Sequence, residues 1–131
     1  MDLNTFIPKD DSVTFEIKNP LTEEVLVKDD GKPMTITVYL PHSKVYKSAI
    51  HDQTNERIKR SQKNRSLYTS EEIEESTLTL MVKTTKDWDI QVDGKTPKFT
   101  QETCRDIYEK LPWVRAQVLQ AQEDLTSFLK N

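Results

Sequence analysis

Apolar and polar residues alternate from Val13 to Lys18, with Val13, Phe15 and Ile17 on one side and Thr14, Glu16 and Lys18 on the other. That two-residue period predicts a half-buried strand, stopped by Asn19 and Pro20. Val25 to Lys28 reads as a short second strand. Asp29-Asp30-Gly31-Lys32 then supplies a tight turn, because glycine accepts a positive φ without a steric penalty. The return strand runs from Met34 to Leu40, placing Met34, Ile36, Val38 and Leu40 inward and Thr35, Thr37 and Tyr39 outward. Ahead of these strands, Met1 to Asp11 is polar around Phe6, Ile7 and Pro8 and reads as a loosely held arm.

Beyond Pro41 the period lengthens to that of helices. Ser43 is a suitable N-cap for a helix to about Lys63, although only Val45, Ala49, Ile50 and Ile58 form its apolar stripe. A break is expected at residues 64–68. Thr69-Ser70-Glu71-Glu72 has the spacing of a capping box, in which the Thr69 and Glu72 side chains each bond the other's backbone N–H. The helix that follows carries Ile73, Thr77, Leu80, Met81 and Thr84, with Leu78 and Val82 widening the face toward Trp88, where the helix is expected to end. Its opening Glu71, Glu72, Glu74 and Glu75 suit the positive end of a helix dipole. Asp93-Gly94 marks a short hairpin or extended loop. Thr100 caps a helix to about Leu111 that presents Cys104, Ile107, Tyr108 and Leu111, and Pro112 ends it or opens the next. The last predicted helix, Trp113 to about Leu129, bears Val114, Val118, Ala121, Leu125 and Phe128 at four-three-four-three spacing. This continuous seam either packs on the domain or meets a partner.

The pattern predicts an α+β fold, with an N-terminal antiparallel β-hairpin or small sheet followed by three to four α-helices. One domain over residues 1–131 is expected, comprising an arm (1–12), a β-rich part (13–40) and a mainly helical part (41–131).

Composition narrows the function. Hydrophobic residues make up 34% of the chain and charged residues 31%. The mean hydropathy is −0.74, so the core is thin and the surface wet. A net charge of −3 argues against a protein whose main task is to hold nucleic acid or an acidic membrane. No stretch approaches the roughly 18 apolar residues of a membrane span. One cysteine, Cys104, forms no internal disulfide, and the cytoplasm is the expected compartment.

Catalytic chemistry lacks its usual residue sets. His42, His51 and Cys104 form no metal-ligand spacing, and Cys104 falls on an apolar helix face, as a buried thiol does. Two glycines in the whole chain leave no glycine-rich phosphate loop. The basic run Arg57, Lys59, Arg60, Lys63 and Arg65 lacks interleaved aromatics and precedes the acidic run at Glu71 to Glu75. Salt bridges between the two segments, or a solvated face, are expected there. Trp88 and Trp113 suit either a thin core or an interface anchor. The reading is of a non-enzyme with no cofactor and no metal.

The order of motifs carries a resemblance. Asp30-Gly31-Lys32-Pro33 and the β-rich Met34 to Leu40 lead to a Ser43 turn, a polar helix with basic residues and an acidic helix near Trp88. Then come Asp93-Gly94-Lys95, Pro97-Lys98-Phe99-Thr100, Tyr108, Pro112-Trp113-Val114 with Arg115, Gln117-Val118, and a tail with Asp124, Phe128 and Leu129. From about Val25 onward this succession resembles the small tail assembly chaperones of long-tailed (siphovirus-type) bacteriophages. The resemblance implies a non-catalytic protein that coats and solubilises the tape measure protein in the host cytoplasm. Tail tube polymerisation would displace it, and it would be absent from the mature virion. It also implies that this chain is the shorter product of a programmed ribosomal frameshift, the extended product recruiting tail tube protein. A homo-oligomer is expected, with Trp113, Val114, Val118, Leu125 and Phe128 as candidate partner-binding residues. The competing readings are a structural head–tail or tail component retained in the virion, and a small nucleic-acid-binding regulator using Arg57 to Arg65.

Overall fold

A computed structural model describes residues 2–8, 10–63 and 69–124. The fold is α+β: a three-stranded antiparallel sheet with, among the described residues, four α-helices. The strands are β1 (Ser12–Glu16), β2 (Thr35–Tyr39) and β3 (Thr85–Asp89), arranged in that order, so β2 is central. The helices are α1 (Lys44–Gln62), α2 (Ser70–Lys83), α3 (Gln101–Lys110) and α4 (Pro112–Glu123).

The central place of β2 follows from its alternation. Ile36 and Val38 are fully buried, while Thr35, Thr37 and Tyr39 lie on the other face. β1 pairs with it from Ser12–Tyr39 to Glu16–Thr35, and the Thr14 and Thr37 hydroxyls bond across the pair at 2.7 Å. The partner of the return strand is therefore β1, and Val25 to Lys28 departs from the sequence expectation. Instead of forming a full strand, this segment enters where β1 and β2 diverge. Val25 bridges Lys18 and Val27 bridges Pro33, while the N–H of Leu26 donates to Ile17 and that of Met34 to Leu26. The expected Asp-Gly turn is present, with Gly31 at φ +83° and its N–H donating to Lys28.

The second departure is β3. The helical face does not continue to Trp88, because α2 stops at Lys83. The Thr84 hydroxyl donates back to Leu80 O, the Thr85 hydroxyl to Met81 O, and Thr84 O accepts from Tyr39 N–H. Two β-branched residues thus turn the backbone from the helix into the sheet. Thr85, Lys86, Asp87, Trp88 and Asp89 lack alternation because Lys86 is an extra residue: Thr37 pairs with Asp87 but Val38 with Thr85. Trp88 is a buried strand residue. Its indole N–H donates to Pro97 O at 2.9 Å and its ring meets Phe99 edge-on, with centroids 5.1 Å apart.

The expected caps are in place. Ser43 accepts from Tyr46 N–H, Thr69 and Glu72 complete a capping box, and Thr100 and Thr103 form another. Pro112 occupies the first turn of α4, where its missing N–H costs nothing. Asp93 and Gly94 both adopt positive φ, and Val92 and Lys95 exchange both backbone bonds across them, which makes a two-residue hairpin. The core lies between the sheet and helices α2, α3 and α4, built from Ile17, Ile36, Val38, Leu78, Met81, Val82, Trp88, Ile90, Cys104, Ile107, Tyr108, Val114 and Val118. Before the sheet, the arm makes a single 3-10 turn, Leu3–Phe6, capped by Asp2.

Candidate partner-binding surface

The seam of α4 divides into two parts. Val114 and Val118 are sealed in the core, Ala121 packs against it, and Gln122 is buried one step further along. Trp113 is half-buried and also packs on the core. The inward stripe of α4 is therefore occupied by this domain, and Val114 and Val118 have no surface to offer a partner. Polar bonds fix that orientation. In the middle of the helix, Gln117 uses its carboxamide as a strand would, accepting from Lys18 N–H at 2.9 Å and donating to Lys18 O at 2.8 Å. Near its end, Gln122 donates to Tyr39 O and to the Thr84 hydroxyl, both at 3.0 Å. Leu125 and Phe128 lie outside the described residues.

The exposed apolar side chains stand elsewhere. Leu119 is 48% exposed and Ile73 54% exposed. Arg115 reaches Glu74 at 3.8 Å, so the face of α4 that carries Arg115 and, one turn on, Leu119 is turned toward α2. Ile73 is the sequence neighbour of Glu74 on α2. The two apolar residues thus stand on adjoining helices, α2 and α4. Periodicity places Ile73 on the apolar face of α2, yet the structure leaves it half in solvent, whereas Leu119 lies outside the predicted stripe of α4.

The second feature is the α1–α2 hairpin. Its expected apolar stripe is weak in the structure too: Ala49 is the only fully buried residue of α1, and Val45 and Ile58 are exposed. The helix packs principally on α2. Polar contacts do the remaining work: Gln53 donates to the Ser76 hydroxyl at 2.8 Å, Arg60 makes a bidentate pair with Glu72, and Lys83 reaches Asp52 at 3.4 Å. Arg60, with the Thr69 bonds, holds the Glu72 carboxyl below its usual range. A salt bridge between the basic and acidic segments is therefore realised at Arg60 and Glu72. An open groove of about 1130 Å³ runs along this seam, lined by both signs of charge, including Asp52, Glu56, Lys59, Glu71, Glu75 and Lys83. On its far side Arg105 of α3 holds Glu75 at 2.5 Å and the Thr79 hydroxyl at 2.7 Å.

Reactive groups are placed for structure. Cys104 is buried beside Tyr108 and Thr85, and burial pushes its thiol up to about 11, away from the thiolate. The His42 ring nitrogen Nε2 donates to Asp10 O at 2.8 Å, tying the arm to the α1 entry. Among the described residues no three His, Cys, Asp or Glu side chains are grouped to hold a metal ion, and no helix is long and apolar enough to cross a membrane. No known family model, curated protein or solved structure matches this chain.

Proposed function

We propose that this protein is a non-catalytic tail assembly chaperone of a long-tailed phage, which binds and solubilises the tape measure protein until tail tube protein displaces it. The observation that carries the reading is the placement of Ile73 and Leu119, two half-exposed apolar residues on adjoining helices above a filled core. A long helical client exposes apolar stripes that aggregate unless covered, and a surface between two helices accepts the apolar face of a third. Covering the exposed half of one such side chain contributes about 1 kcal/mol. Each contact is therefore weak enough to be outcompeted, while many copies along one client hold it firmly. The charged flank along α1 and α2 keeps the coat in solution. The protein acts in the host cytoplasm without a cofactor, self-associates, and is absent from the finished virion. Contact with the tail tube protein belongs mainly to a frameshift-extended product.

Co-expression with the tape measure protein of the same genome tests this. The wild type keeps that client soluble and co-purifies with it. The double variant Ile73→Asp plus Leu119→Asp retains its fold, since both positions are half in solvent, and loses the client to the pellet. A folded double variant that solubilises the client as well as the wild type would refute the proposed surface. Mass spectrometry of purified virions separates the chaperone from a retained tail component, whose peptides would be present.

A further inference from the structure

The two edges of the sheet are finished differently. On β3 the bulged Lys86, together with Asp87 and Asp89, lines the edge with charge, and the Asp87 carboxylate accepts from Trp88 N–H at 2.8 Å. Bulges and charges of this kind prevent a further strand from pairing. On β1 the hydrogen-bond parity leaves the other arrangement. Asp11 O accepts from Leu40 N–H at 2.8 Å and Ile17 N–H donates to Met34 O at 2.9 Å, so the odd-numbered residues of β1 are turned toward β2. The N–H and C=O groups of Ser12, Thr14 and Glu16 then point outward. Among the described residues these six groups have no partner. At Lys18, one step further along the same edge, Gln117 closes the outward pair with its carboxamide. The chain thus fills this edge at Lys18 and leaves it open from Ser12 to Glu16.

We propose that this open edge pairs with the same edge of a second copy of the chain, antiparallel about a two-fold axis at Thr14. This deepens the self-association in the proposed function by naming its interface, and it stands on the sheet edge whether or not the client is a tape measure protein. In that register Thr14 faces Thr14, Ser12 faces Glu16 and Val13 faces Phe15, and the pairing ends where Gln117 occupies the edge at Lys18. The outward groups fall opposite one another and exchange about six backbone hydrogen bonds. Val13 and Phe15 are only partly buried by their own domain. They occupy the pairs in which side chains approach most closely, so each covers the other's exposed surface. No like charges stand opposite between Ser12 and Glu16. The product is a six-stranded antiparallel sheet with the guarded β3 strands at its two ends, an isologous dimer.

Sedimentation equilibrium over micromolar to millimolar chain tests the pairing. The wild type rises from the 15.3 kDa chain mass toward twice that value. Thr14→Pro removes an N–H that points away from β2, so the β1–β2 ladder survives while association weakens at least about tenfold. Thr37→Val serves as the control: it deletes the same Thr14–Thr37 hydroxyl bond without touching the edge, and it still dimerises. Thr14→Lys keeps the N–H and sets two ammonium groups face to face on the axis; it dissociates at low salt and recovers at high salt, which covers the case in which the proline variant does not fold. In a mixed-isotope sample of the wild type, an inter-copy NOE joins Val13 to Phe15. A wild type that stays monomeric throughout, a folded Thr14→Pro that associates normally, or a dimer without that NOE overturns the proposal.

Discussion

The buried pair Tyr108–Thr85 allows a prediction in which direction, size and order are all set by geometry. The Thr85 hydroxyl has one hydrogen, and it goes to Met81 O at 2.8 Å. The 2.6 Å contact with Tyr108 therefore has the tyrosine as donor and Thr85 Oγ1 as acceptor. Tyr108 is fully buried and Thr85 4% exposed. Tyr108→Phe removes only the donor and leaves Thr85 still bonded to Met81, so it costs about 1 kcal/mol, the net value of one hydrogen bond. Thr85→Val keeps the shape but strands the tyrosine hydroxyl in the core with only the Cys104 sulfur nearby, and it deprives Met81 O of a donor. That costs about 2–3 kcal/mol. In the double variant no hydroxyl is left stranded, so its loss is no greater than that of Thr85→Val alone. The coupling is on the order of 1 kcal/mol. Urea titrations followed by the fluorescence of Trp88 and Trp113 measure all four proteins, with the m-value unchanged. A Tyr108→Phe loss as large as that of Thr85→Val, or strictly additive losses, would refute the donor assignment.

Two further outcomes follow from the core. Burial raises Cys104 from its ordinary value of 9.0 to about 11, and raises Tyr108 in the same sense. The folded state holds these protons longer than the unfolded chain, so the Cys104 contribution is complete below pH 9 and is lost as pH rises from 9 through 11, while that of Tyr108 begins to be lost only above its ordinary value of 10.0. Stability should fall on the order of 2 kcal/mol from the thiol over that span. Thermal melts of Cys104→Ala will show a shallower alkaline loss. Val118→Asp should unfold the protein rather than impair binding alone, because it buries an unpaired carboxylate at a fully sealed position; a folded Val118→Asp by circular dichroism would show that α4 does not close the core.

The residues that announced themselves did so through local physics. Strict alternation gave β2 its place, and caps at Ser43, Thr69 and Thr100 were legible because one side chain and one backbone N–H suffice to make each. The Asp93-Gly94 hairpin was legible for the same reason. β3 was hidden because its partners are distant in sequence and its bulge breaks the alternation that marks a strand. Val25 to Lys28 misled because its apolar spacing suits a strand, whereas β1 holds the place beside β2. The candidate surface was least visible. Periodicity selects residues that face a helix's main apolar side, and on α4 that side, Val114 and Val118, is consumed by the core. Leu119 lies off that side, and Ile73, which the pattern of α2 does select, stays half exposed because the core is filled by Leu78, Met81 and Val82 further along the helix.

The carboxamide of Gln117 grips the backbone of Lys18 across 99 residues of chain. During synthesis, β1 leaves the ribosome long before the helix that clasps its far end. A nascent chain short of α4 has an unfilled sheet face and an unclosed Lys18, and both are completed in one step when α4 emerges. Completion of the sheet is thereby tied to the emergence of α4, and a polypeptide released before that helix never acquires the clasp.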